Sequence, residues 1–155
     1  AVYALGRNPC PNAVQKLVSL LERDDNAYVR RATAWSLANY DNQIVLGPLI
    51  NALKNDVAAV RLWSSSSLAE IGSISSDNAQ LAAEQLLISL KIDNEPGVRS
   101  NCIWSLCRLY EKLNDASQES FVDECTKIAL FDKEPSVMEE AKTALDSMGM
   151  EGFYH

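Results

Sequence analysis

Histidine is all but absent from this 155-residue chain: the one copy, His155, is the final residue. A Ser-His-Asp triad, a Cys-His pair and a His-ligated metal site therefore lack an imidazole within the domain, which argues against ordinary hydrolytic chemistry. The four cysteines, Cys10, Cys102, Cys107 and Cys125, form no CxxC pair and no metal-like spacing. With no secretion-signal pattern either, reduced thiols in a cytoplasmic compartment are expected. No apolar run approaches the roughly 20 residues that cross a bilayer, so no membrane insertion is expected. Positive charge is also short: 14 Lys and Arg stand against 21 Asp and Glu, a net charge of −7. Phosphate binding depends on an excess of Lys and Arg, so nucleic acid is disfavoured as a partner. Strand signals are missing too, with no period-two alternation and no Val/Ile/Thr-rich blocks. These absences leave no catalytic residue and no metal ligand to assign.

What the chain does have is a repeat. Its apolar fraction of 47% and charged fraction of 23% suit one soluble domain with a real core. Four segments align: "NAYVRRATAWSLANY", "AAVRLWSSSSLAEIG", "EPGVRSNCIWSLCRLY" and "EPSVMEEAKTALDSMG". Their valines, Val29, Val60, Val98 and Val137, are 31 to 39 residues apart. Eight positions after each valine stands a leucine, Leu37, Leu68, Leu106 and Leu145. Eleven positions after it stands another sizeable apolar residue, Tyr40, Ile71, Leu109 and Met148. The opening "AVYALGR" fits the same frame through Leu5 and reads as the second half of a helix, so further residues are expected upstream of Ala1.

Between these segments lie "AVQKLVSLLE", "VLGPLINALK", "AAEQLLISLK" and "FVDECTKIAL", each with helical spacing of apolar residues. The spacing predicts alternating A and B helices joined by short polar turns. Pro96 and Pro135 fall where B helices should start, a position at which proline costs no hydrogen bond. "SISSDN" at 73–78 reads as a polar loop that stretches the third repeat. An Asp precedes each valine by four or five residues: Asp24, Asp56, Asp93 and Asp132. It is placed to cap the B-helix N-terminus. Arg30, Arg61 and Arg99 directly follow three of the valines, and Met138 follows the fourth. Asp and Arg at this spacing can pair within and between repeats as a ladder. Met138 then marks a terminal repeat without a next neighbour.

Asp, a short gap, Val-Arg and then an Ala/Ser-rich helix ending in Leu resembles the HEAT family. The short step from Val29 to Val60 is similar to the phycobilisome-lyase subtype, which includes E/F-type bilin lyases of cyanobacteria and their non-bleaching relatives. The resemblance covers essentially the whole chain. It implies an all-α, right-handed α-α superhelix, a HEAT-like solenoid of about four helix pairs plus a partial N-terminal repeat. Residues 1–155 would then form a single domain. Residues 1–7 would end a preceding helix, and repeats would cover about 11–41, 42–73, 78–113 and 117–150.

At about 100° per residue, positions +4, +7, +8 and +11 from the valine share its face and should bury against the A helix. Position +6 points away and holds Tyr3, Trp35, Ser66, Trp104 and Thr143. Position +2 (Arg31, Ser100) and position +9 (Cys107) share nearly that direction. Since the resemblance implies that B helices line the concave surface, Tyr3, Trp35 and Trp104 should look into a groove, with Arg31 and Cys107 beside them. Ser66 between the two tryptophans would leave a shallow hollow. Arg7 and Arg108, both at +10, could edge the groove and meet carboxylates, but a solvated Arg is the preferred reading for both. Trp35 and Trp104 also fit a second reading, as filler between repeats. Trp63, at +3, is assigned to packing. Cys102 reads as core, and Phe153 and Tyr154 as a cap on the solenoid end.

Two functions fit this surface. One is a non-catalytic scaffold gripping a protein partner, which the subtype suggests is a phycobiliprotein subunit. The other, implied by the resemblance alone, is a bilin lyase or lyase subunit. There a phycobilin cofactor would stack on Tyr3, Trp35 and Trp104 and meet Arg31 through its propionates. No general acid or base is visible for that chemistry, and the scaffold is the preferred reading.

Overall fold

A computed structural model describes residues 2–7 and 9–150, apart from the side chain of Pro11. The expected cap residues Phe153 and Tyr154, and His155, lie outside the described residues. The described residues contain nine α-helices and no strand. Four A helices, α2 (Val14–Arg23), α4 (Leu46–Asn55), α6 (Ser76–Ile92) and α8 (Asp115–Phe131), alternate with B helices. The B helices are α1 (Val2–Arg7), α3 (Ala27–Leu37), α5 (Ala58–Gly72), α7 (Pro96–Leu109) and α9 (Pro135–Ser147). Each A helix packs on the B helix that follows it, and each helix also packs on its counterpart in the next pair. This is an all-α solenoid. The B helices approach one another more closely than the A helices do.

Apolar periodicity explains each element. Val14, Leu17 and Leu21 bury one face of α2, and Leu46, Leu49 and Leu53 do the same for α4. On the B side, Leu37, Leu68, Leu106 and Leu145 are completely buried. Burying each contributes about 1.5–3 kcal/mol. Pro96 and Pro135 open α7 and α9 as expected. Gly149, with φ 75°, ends α9. Its N–H reaches the Asp146 carbonyl at 3.0 Å, and the Met150 N–H reaches that of Leu145 at 2.8 Å, which together close a Schellman turn.

The period lengthens for a different reason than the polar composition of residues 73–78 suggests. Ser75 caps α6 by accepting from the Asn78 N–H, so the helix already begins at Ser76. Asn78 is buried and donates to the Ile71 carbonyl at 3.2 Å. The extra residues sit in α6 and α8, each 17 residues long against 10 in α2 and α4.

The repeated Asp and Arg do form a ladder. Arg30 pairs with Asp56 at 3.0 Å, Arg61 with Asp93 at 2.8 Å and Arg99 with Asp132 at 2.9 Å, each Arg reaching the next repeat. Each Arg also donates to a carbonyl of its own repeat, that of Asp24, Asp56 or Asp93. The aspartates are not B-helix N-caps, contrary to expectation. Each is the C-cap residue of an A helix, and its carboxylate accepts from a turn N–H one or two residues on. The bidentate guanidinium explains the placement: the carboxylate must sit in the turn to face the preceding repeat.

A second ladder runs through position +7. Ser36 Oγ donates to the Val2 carbonyl at 2.8 Å, Ser67 Oγ to that of Ala34 at 2.6 Å and Ser105 Oγ to that of Ser65 at 2.6 Å. Each bond joins a B helix to the one before it. Among the described residues, no helix is long and apolar enough to cross a membrane.

Candidate functional site

On the B-helix layer, α3, α5 and α7 line a hollow of about 230 Å³. Trp35, Trp63 and Trp104 line it together with Ala38, Asn39, Ser66, Ser67 and Glu70. The helix frame explains the assembly. Trp35, Ser66 and Trp104 occupy position +6 in consecutive B helices, and the small Ser66 leaves the gap between two indoles. Asn101 of α7 fixes that serine, donating to Ser66 Oγ at 2.8 Å and to the Leu62 carbonyl at 3.1 Å.

Trp35 and Trp104 play different parts. Trp104 is 45% exposed, a large apolar ring on an open surface. Trp35 is half-buried and serves both as filler and as wall. Its ring lies against Gly6, where any Cβ would collide with it, and 5.4 Å from the ring of Tyr3. Its remaining edge reaches the hollow.

Arg108 meets a carboxylate rather than standing free in solvent. Its guanidinium stands 5.0 Å over the Trp104 ring and pairs with Glu70 at 3.0 Å. Both side chains are 46% exposed, so the pair adds little stability. Arg7 is exposed at the end of α1, away from the hollow. Arg31 packs over the Tyr28 ring at 5.7 Å, and Tyr28 meets the edge of Tyr3 at 6.5 Å. Tyr3, Tyr28 and Arg31 therefore form a cluster that adjoins Trp35 and does not itself line the hollow. Ser100 is half-buried and takes no part in the hollow.

Cys107 departs from its expected place in the groove. It is half-buried and lies beside Ser147 and Glu140 of α9. Burial pushes its thiol up to about 11, against a small opposing contribution from Ser147. Cys107, at +9, is rotated 60° from the +6 line, and that rotation turns it into the seam with α9. Burial likewise raises the Cys102 and Cys125 thiols, and all three are poor nucleophiles.

Five lining residues, Ala38, Asn39, Trp63, Ser67 and Glu70, are not among the groove residues expected from the sequence. Trp63 packs on the core as expected, and its ring also forms a wall. Glu70 carries the site's one carboxylate, and its signal was present: it occupies position +10, one repeat before Arg108. Among the described residues, no group of three His, Cys, Asp or Glu side chains could hold a metal ion. Compared with known families, residues 14–107 match the family described as HEAT repeats.

Proposed function

The chain belongs to the HEAT-repeat family, and from that premise we propose that it is an interaction scaffold whose concave B-helix face grips a protein partner. The observation that carries this reading is the half-exposed Trp104 on the rim of a hollow walled by two further indoles. Aromatic and Arg side chains dominate binding energy when they sit at the centre of an interface, and this site offers three Trp with Arg108 at their edge. A phycobiliprotein subunit is the first partner to try, because the short repeat step resembles the phycobilisome-lyase subtype. The size of the hollow favours a protein over a free bilin. At about 230 Å³ it falls below the roughly 300–1,000 Å³ of sites that enclose a small ligand. One protein side chain fits it.

Binding of the wild-type protein, Trp104→Ala and the A-helix control Glu84→Ala to purified phycobiliprotein subunits, and to proteins retained from a lysate, tests the proposal. Loss of at least about ten-fold in affinity is expected for Trp104→Ala alone, the effect of a central aromatic anchor. A partner held equally by Trp104→Ala, with native circular dichroism, would move the interface away from the hollow. Mixing with a phycobilin should leave its visible absorbance unchanged.

A further inference from the structure

The lining of the hollow specifies the charge of what enters it. Glu70 is the one charged residue among the lining side chains. The hollow adjoins a second depression of about 280 Å³, which shares Ala38, Asn39 and Glu70 with it and adds Asp41. No cation lines either depression, although two carboxylates do. The backbone contributes in the same sense. Ala38 and Asn39 directly follow the C-terminus of α3, and Glu70 lies in the last turn of α5. The carbonyl ends of two helices thus converge here, each carrying about half a negative charge. The Trp104 ring completes the set, since an aromatic face attracts cations within about 6 Å of its centroid and Arg108 already stands 5.0 Å over it.

One cation already demonstrates the chemistry. Arg108 lies outside the lining yet spans the rim, stacked on Trp104 and paired with Glu70 Oε1. It shows that an indole and this carboxylate together hold a guanidinium. A carboxylate accepts at both oxygens, and Glu70 is half exposed, so it has capacity for a second donor approaching from the hollow.

We propose that the hollow between Trp35, Trp63 and Trp104 receives a basic side chain, Arg or Lys, projecting from the protein partner, with Glu70 as its counter-charge. This rests on the scaffold reading and names the anchor that such a partner presents. The incoming cation shares or displaces the Arg108–Glu70 contact, so Arg108 acts as an internal competitor that sets the affinity. The net charge of −7 adds long-range attraction for a basic partner.

The experiment titrates the full chain with four blocked tripeptides at constant ionic strength: Gly-Arg-Gly, Gly-Lys-Gly, Gly-Leu-Gly and Gly-Glu-Gly. The indole N–H resonances of the three tryptophans report binding. Gly-Arg-Gly and Gly-Lys-Gly should shift the Trp63 and Trp104 signals, with dissociation constants in the millimolar range expected of a single side chain. Glu70→Gln should weaken that binding at least about five-fold, and Arg108→Gln should strengthen it about two-fold or more. Both substitutions fall on exposed side chains, so the fold is retained. Equal shifts from Gly-Leu-Gly, or unchanged binding in Glu70→Gln, would overturn the cation assignment while leaving the hollow a docking site. No shift from any peptide up to about 20 mM would overturn it as well. Only the Trp104→Ala binding experiment decides the scaffold reading.

Discussion

Two buried serines on one helix show how position decides the worth of a hydroxyl. Ser67 Oγ joins α5 to the Ala34 carbonyl, whereas Ser64 Oγ is buried with no hydrogen-bond partner among the described residues. Replacing Ser67 or Ser105 by Ala should cost about 1–2 kcal/mol, because each leaves a buried carbonyl short of its donor. Ser64→Ala should be neutral or stabilise by about 1 kcal/mol, since it removes an uncompensated polar atom. Urea midpoints of the three variants check the contrast. The cysteines give a second expectation at this scale. Cys10 is exposed and should alkylate first with iodoacetamide at pH 8, Cys107 about ten-fold more slowly, and Cys102 and Cys125 only on unfolding. The raised Cys107 value also fixes a sign. Its folded pKa, about 11, exceeds the unfolded value near 9, so its contribution is complete below pH 9 and is lost as pH rises towards 11. Cys107→Ser should lose less stability than the wild type across that window, measured by urea midpoints.

At the level of elements, the recurring Trp-Ser-Leu word divides its labour by direction. Leu106 enters the core, Ser105 clasps the previous B helix and Trp104 turns to the hollow. The same frame places Gly6 where α1 meets the Trp35 ring, at a separation that tolerates no Cβ. Gly6→Ala should push α1 from α3 and lower stability by about 1–3 kcal/mol. The emission of Trp35 should also change, and Trp35→Phe should recover part of the loss by making room. Much of this level was readable beforehand. Helix identity, the leucine column and the proline starts follow from spacing within a single segment. The lengthening of α6 was not readable, because Ser75 through Asn78 suit a loop and a helix cap equally, and only burial of Asn78 against Ile71 selects the cap.

The whole molecule is held by two ladders that join each repeat to the next, the Arg–Asp pairs at the turns and the serine bonds between B helices. A solenoid is nearly one-dimensional, so coupling between neighbours sets its cooperativity. Arg61→Ala should therefore do more than a surface substitution. It strands Asp93 at low exposure and deprives the Asp56 carbonyl of a donor, for a loss of about 2–3 kcal/mol. The urea transition should also broaden as the first two helix pairs decouple from the last two, with a smaller slope against denaturant. A shift in midpoint at constant slope would show that the ladder stabilises without coupling.

From the sequence alone came the all-α class, the alternation of helices, the core columns, the Arg–Asp ladder and the +6 line of Tyr3, Trp35, Ser66 and Trp104. All of these depend on periodicity along one chain, which a helix turns into direction at a fixed angle per residue. Tertiary structure decided which of those directions meet. It brought Trp63 and Glu70 to the hollow, set Arg108 across its rim, placed Tyr3 and Arg31 in a cluster behind Trp35 and turned Cys107 into the seam with α9. A rotation of 60° or 100° separates a groove from a seam, and only the packing of one B helix on the next fixes where that boundary falls.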